Sequence, residues 1–375
     1  MLLGQRRRER QLAARTRQRA VTDSAHDDYL ATRRFGALDG LRCFSIVPVV
    51  WHHCTPRPLP GLLGKGPAGV DLFFCISGFL ITTLLLREKS RTGQIALHGF
   101  YVRRALRILP LYYAVLLSYV AFAALLPVSA PQRAHFFHTL PYYATFTANW
   151  FADFGVSFPI LFSFAWSLCV EEQFYAFWPC ALRWLSNRGA LLCMLSVLAC
   201  DAAAERGLCG ALLPAGSLAL RIVTSFAAPI GLGAILALAL DTRHGFVALA
   251  RLLGQRWSAP FALALVIALL VWPSAPLFGF QLALTALVGA CVIHENHGLV
   301  RPLRARAVSY IGRVSYGVYL LNLTAVGLVR RAFASHASSS LLVFTLSFPL
   351  ALGLAALSHR FLEAPFLRQR ARFRV

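Results

Sequence analysis

Residues 259–293 read APFALALVIALLVWPSAPLFGFQLALTALVGACVI, two apolar blocks split by WPSAP, with no ionisable acid or base among them except one cysteine thiol. Each block approaches the roughly 20 residues that cross about 30 Å of hydrocarbon as a helix. Such blocks recur. Eleven apolar candidates lie near 40–54, 69–86, 108–126, 136–151, 166–182, 189–203, 218–240, 258–272, 276–293, 314–329 and 341–358. Of the 375 residues, 58% are hydrophobic and only 14% charged, more apolar and less charged than a soluble domain. The expected fold class is all-α, a polytopic helical membrane protein.

The net charge of +22 invites a nucleic-acid reading, because polycations bind phosphate backbones, but topology accounts for it. Both termini are arginine-rich (RRRERQLAARTRQR and FLRQRARFRV), which favours the cytoplasm for both and an even number of spans. One candidate therefore does not cross. The block 136–151, FFHTLPYYATFTANWF, is the weakest, with an internal proline and several polar groups. Without it about ten transmembrane helices remain. Of the 37 Lys and Arg, 29 then fall on the inner side and seven outside (Arg57, Lys65, Arg133, Arg206, Arg221, Arg330, Arg331), with Arg42 inside the first span. The charge is an orientation signal, and no nucleic-acid partner is expected.

The chain divides into a basic cytoplasmic tail at 1–35, expected to be disordered and lipid-facing, a membrane domain at 36–368, and a basic C-terminal tail at 369–375. No small-residue cleavage site follows the basic tail, so the first span is expected to stay as an anchor. The nine cysteines show no CxxC or CxxH spacing, so neither zinc nor a disulfide framework is indicated.

Each ionisable group in a span costs on the order of 3 kcal/mol or more and needs a reason. The first span, LDGLRCFSIVPVVWHHC, carries Arg42 near one end and His52 and His53 at the other. Arg42 and His53 are roughly 16 Å apart along a helix rising ~1.5 Å per residue. Arg42 is either a snorkelling anchor or a ligand group, and the histidines either an interfacial pair or a base. Asp71 enters the second span, GVDLFFCISGFLITTLLL, where it either caps the helix or meets His53. Ser77 and Gly78 lie mid-membrane, a signature of close helix packing. Arg103, Arg104 and Arg107, in HGFYVRRALRILPLYY, cluster through i, i+3 and i+4 spacing, which suits a polyphosphate or anionic lipid. In WSLCVEEQFYAFWP, Glu171 and Glu172 are adjacent. Neighbouring helix positions point about 100° apart, so at most one is expected to face a given site squarely, the other pairing with an arginine or holding structure.

In this order, LDGLR with a histidine eleven residues after its arginine, VDLFFCISGFLIT, RRALRILP, WSLCVEEQFYAFWP, VSYGVYLLN and HRFLEAPFLR resemble acyltransferase family 3, the bacterial integral-membrane O-acyltransferases, over residues 36 to 368. The resemblance implies a ten-helix protein of the bacterial inner membrane that moves an acyl group, commonly acetyl, from acyl-CoA to a hydroxyl of a glycan, polysaccharide or small natural product. It places the family's arginine and histidine on Arg42 and His53, its acidic residue on Asp71, its arginine cluster on Arg103, Arg104 and Arg107, its double glutamate on Glu171 and Glu172, and its C-terminal glutamate on Glu363. Family members often carry a histidine where this chain has Asn322. The chain ends soon after EAPF, so a stand-alone membrane enzyme is expected.

On that footing the arginines hold the phosphates of acyl-CoA. His53 acts as general base, and Asp71 or a glutamate fixes its tautomer. The rivals are a multi-span transporter of a glycan or metabolite, which would show repeated halves, and an envelope scaffold. No metal is implied, and HENH at 294–297 reads as a surface loop.

Overall fold

The computed structural model describes residues 24–55, 61–157, 160–210 and 212–373, and among them every regular element is helical. After a short helix α1 at 24–31, the chain runs through α2 (Gly36–Cys54), α3 (Ala68–Thr92), α4 (Leu97–Leu125), α5 (Ala130–Ala144), α6 (Ala148–Phe151), α7 (Ala165–Trp184), α8 (Asn187–Glu205) and α9 (Leu218–Val223). It continues as α10 (Ala228–Asp241), α11 (Arg243–Leu253), α12 (Ser258–Val271), α13 (Leu277–Ile293), α14 (Val300–Leu303), α15 (Arg306–Ala332), α16 (Ser340–Ser358) and α17 (Ala364–Gln369).

Ten crossing helices are expected from hydropathy; four helices here are long and apolar enough to cross a membrane, namely α3, α4, α8 and the continuous Ser340–Gln369. A fifth arises if α10 and α11, bent by 111° at Thr242, count as one span. The opening blocks form α12 and α13, with 14 and 17 residues. The helices α2, α7 and α15 are long enough, but their arginines, glutamates and histidines lower the mean hydropathy. These three helices share the site described below with α3 and α4, which pass the test.

The block 136–151 does not make one long helix. The helix α5 stops at Ala144, Phe146 turns to φ 56°, and α6 is a single turn. A left-handed phenylalanine is uncommon, and it is held here because its carbonyl accepts a hydrogen bond from Gln173 Nε2 at 2.8 Å.

At the N-terminal end, residues 1–23 of the expected disordered tail lie outside the described residues, but 24–31 are helical and docked. His26 Nε2 lies 3.2 Å from the Leu240 carbonyl, Tyr29 is buried, and Arg87 donates to the carbonyls of Tyr29 (2.8 Å) and Thr32. Packed helical structure is therefore already present at 24–31, where Tyr29 supplies an apolar ring that packs with Phe35 and Phe246.

Packing is closest around α2 and α3. A Cβ on Gly312 of α15 would lie 1.7 Å from the Asp39 carbonyl oxygen of α2, and one on Gly78 of α3 would lie 1.9 Å from that of Ile230 on α10. Backbones touch only where side chains are absent. Gly78 is thus a packing residue, whereas its neighbour Ser77 donates to Glu171 Oε1 at 2.7 Å. One turn further along α3, Thr82 accepts from Trp178 Nε1 at 2.7 Å, so α3 and α7 are joined by two polar contacts. Gly312→Ala is expected to destabilise the bundle by about 1–3 kcal/mol through overpacking, read as a lower temperature for loss of monodisperse protein in detergent. An unchanged temperature would mean that α2 and α15 are not in backbone contact.

Candidate active site

Two adjoining cavities lie where α2, α3, α4, α7 and α15 meet. The first, about 90 Å³, is lined by Arg42 from α2, Ser77 from α3, Arg104 and Arg107 from α4, and Glu171, Glu172 and Tyr175 from α7, with Ser315, Tyr316 and Tyr319 from α15. The spacing of Arg104 and Arg107 puts them on one face of α4, and Pro110 a turn later does not interrupt that helix. Among the described residues none of Arg42, Arg104 and Arg107 forms a hydrogen bond or an ion pair within 4 Å. Arg104 instead lies over the Tyr175 ring, 4.6 Å from its centroid. Three guanidiniums and the carboxylates of Glu171 and Glu172 share this one small cavity, so the fixed positive groups outnumber the acidic ones there.

Both glutamates line this cavity, although adjacent helix positions diverge. The cavity is wide enough across α7 that Ser167, Leu168, Glu171, Glu172 and Tyr175 all reach it. Ser77 fixes Glu171 through the 2.7 Å hydrogen bond.

The second cavity, about 780 Å³, is lined by His52 and His53 at the far end of α2, with Asn149, Trp166, Ser225 and Tyr319. Val70 and Tyr319 line both cavities. Tyr319 is pinned between them: its hydroxyl donates to the Phe164 carbonyl at 3.0 Å and lies 2.5 Å from Ser167 Oγ. The wall of the larger cavity is stiffened by an amide pair, in which Asn149 Nδ2 donates to Gln173 Oε1 (3.0 Å) and Gln173 Nε2 donates to Asn149 Oδ1 (2.8 Å). The partner of His53 is Asn322, whose Oδ1 lies 2.5 Å from His53 Nδ1.

Three expected site residues lie elsewhere. Asp71 faces neither His53 nor the arginines. It lines a separate pocket with Lys65 and Trp272, because residue 70 of α3 points to the site and residue 71 is turned about 100° from it. Arg103 turns out of the arginine cavity to pair with Glu88 Oε2 at 3.0 Å and to donate to the Phe373 carbonyl at 2.5 Å, tying α4 to the C-terminal segment. Glu363 lies in a π-helical turn, where its Oε1 accepts from Ser358 at 3.3 Å and its Oε2 is 3.7 Å from His359 Nδ1.

The loop HENH also differs from expectation. His297 is 1% exposed, and burial first, then Arg304 and His294, lowers its pKa to about 4, so it is neutral near pH 7. Its Nδ1 accepts from the Leu299 amide at 3.2 Å. Among the described residues no group of three or more His, Cys, Asp or Glu gathers as a metal site.

Tyr175, Tyr316 and Tyr319 escaped the sequence reading. Their signal was the spacing: Tyr316 and Tyr319 are i, i+3 in SYGVYL, and Tyr175 stands four residues after Glu171, so each falls on the face that carries polar groups.

A family model described as an acyltransferase domain matches residues 35–360. The chain belongs to this acyltransferase family. An O-acetyltransferase OatA from Staphylococcus aureus (strain NCTC 8325 / PS 47) is 26% identical over 371 residues, covering 90% of this chain and 58% of the relative. A peptidoglycan O-acetyltransferase OatA from Listeria monocytogenes serovar 1/2a is 31% identical over 167 residues, 42% of this chain and 26% of the relative. The chain thus spans 58% of the length of the Staphylococcus relative. No solved structure matches. With its long apolar helices, this member of the acyltransferase family is a multi-pass membrane protein.

Proposed function

We propose that this chain is an O-acyltransferase of the bacterial inner membrane, with ten spans and both termini cytoplasmic, that moves an acyl group from acyl-CoA to a hydroxyl of a cell-surface glycan, polysaccharide or secreted small molecule. The observation that carries the reading is the junction of a cavity lined by three guanidiniums, none with an ion pair within 4 Å among the described residues, with a cavity holding a hydrogen-bonded histidine, the two sharing Tyr319 and Val70. The relatives named for O-acetyl transfer, one of them to peptidoglycan, support acetyl as the group and a glycan as the acceptor.

In this reading Arg42, Arg104 and Arg107 meet the donor's phosphates, because the guanidinium fork matches phosphate oxygens. A cavity of about 90 Å³ takes a phosphate-sized group and not a whole nucleotide, so the adenosine remains outside it and the pantetheine arm runs past Tyr319. Glu171 and Glu172 offset part of the arginines' charge. The acceptor occupies the larger cavity. His53 Nε2 takes the proton of the acceptor hydroxyl as its oxygen attacks the thioester carbonyl; the C–O bond forms, the C–S bond breaks, and the leaving thiolate takes the proton from the imidazolium. Asp71, assigned to the catalytic set by resemblance, has no part in these steps.

The test is expression in a host lacking its own O-acetylation, with membranes given acetyl-CoA carrying a labelled acetyl group and the glycans and secreted metabolites examined by mass spectrometry. The expected result is labelled acetyl ester on one acceptor class, dependent on this chain. Membranes that contain the chain and neither transfer nor hydrolyse the label would overturn the reading.

A further inference from the structure

We propose that Asn322 is the positioning residue of His53, selecting the tautomer in which Nδ1 carries the proton and Nε2 presents its lone pair to the larger cavity. This rests on the reading of His53 as the base. The role assigned from the sequence to a carboxylate then belongs to a neutral amide.

The argument follows from which atoms are able to donate. Asn322 is fully buried, at 0% exposure. Its side-chain Nδ2 lies 2.5 Å from the backbone carbonyl of Tyr319, one turn back on α15. A carbonyl only accepts, so the amide nitrogen must face it and the orientation of the amide is set. Oδ1 is then the atom 2.5 Å from His53 Nδ1. An amide oxygen only accepts as well, so the proton between them belongs to Nδ1. In the neutral imidazole the base is therefore Nε2.

Among the described residues no ionised group is hydrogen-bonded to His53. Besides His53, the titratable groups among the described residues lining the cavity are His52 from α2 itself and Tyr319 from α15; its lining residues from α3, α6 and α7, from the turn between α9 and α10, and from the segment between α6 and α7 are neutral. Arg330 of α15 donates to the Cys54 carbonyl at 3.2 Å, one residue beyond His53. From α16, Phe344 packs on Trp51. A free imidazole has no protein contact holding the proton on Nδ1, and here the Tyr319–Asn322–His53 chain supplies one.

The test labels the histidines with ¹⁵N in the full chain, in detergent or nanodiscs, at a pH where imidazoles are neutral, and assigns His53 by the signal lost in His53→Gln. The expected result is a pyrrole-type shift at Nδ1 and a pyridine-type shift at Nε2 in the wild type, with Asn322→Leu losing that pattern. In the same variant kcat is expected to fall by about tenfold or more, with KM for acetyl-CoA unchanged. A wild-type spectrum with the proton on Nε2, or an Asn322→Leu spectrum identical to it, overturns the proposal. The wild-type spectrum decides even if the variant does not fold. Because the shifts do not depend on turnover, a chain with the expected tautomer and no acyl transfer would sink the functional reading and leave the tautomer assignment standing.

Discussion

Replacing His53 with Gln is expected to slow acyl transfer from acetyl-CoA by about 10³-fold, within the span of about 10²–10⁴ that a general base contributes. Glutamine fills similar space and offers an amide to Asn322 Oδ1, so the contact across to α15 is kept while the proton acceptor facing the cavity is lost. The change should therefore appear in kcat at an unchanged amount of protein in the membrane. His52 gives the internal comparison. Its ring lines the same cavity, but no hydrogen bond to a described residue sets its tautomer, so His52→Gln is expected to cost far less. Initial rates on membranes normalised for the protein decide the matter. Equal losses in the two variants, or a His53→Gln enzyme at wild-type rate, would remove His53 from the chemistry.

The second large effect is expected at the arginines. Hydrogen bonds to charged groups contribute about 1.5–3 kcal/mol each, so Arg107→Gln and Arg104→Gln should each raise KM for acetyl-CoA by about 10- to 100-fold with a smaller change in kcat. Arg103→Gln serves as the contrast. Its guanidinium is already engaged by Glu88 and Phe373, so KM should stay near the wild-type value even if the C-terminal segment loosens. If Arg103→Gln raises KM and Arg107→Gln does not, the donor phosphates lie at the Arg103–Glu88 pair and the arginine cavity serves the fold.

The same three arginines show how far a linear reading reaches. The sequence placed Arg103, Arg104 and Arg107 in one cluster, which is correct for helix spacing. Which of them faces inward depends on the rotation of α4 against α7 and α15, and on whether an acidic partner such as Glu88 stands within reach of one of them. Neither is written in the local pattern. Glu171 and Glu172 show the same limit, since the breadth of a cavity is set by several helices together.

Asp71 and Asn322 mark the largest gap. In the sequence Asp71 is conspicuous because a carboxylate in a span is costly and a histidine needs an orienting partner, whereas Asn322 is marked only by its departure from the family pattern. The structure gives that departure a physical place: the amide meets His53 across 269 positions of chain.

Read alone, the chain was enough for a helical membrane protein, its family and the identity of the residues worth examining. Hydrocarbon makes unpaired backbone and buried charge so expensive that apolar blocks of span length, and the few ionisable groups tolerated in them, are visible one residue at a time. Tertiary structure alone decided which of those groups meet: Arg42 with Arg104 and Arg107, Ser77 with Glu171, His53 with Asn322. Those meetings depend on how each helix is rotated and how closely its glycines let a neighbour approach, and both are properties of the packed bundle rather than of any one segment.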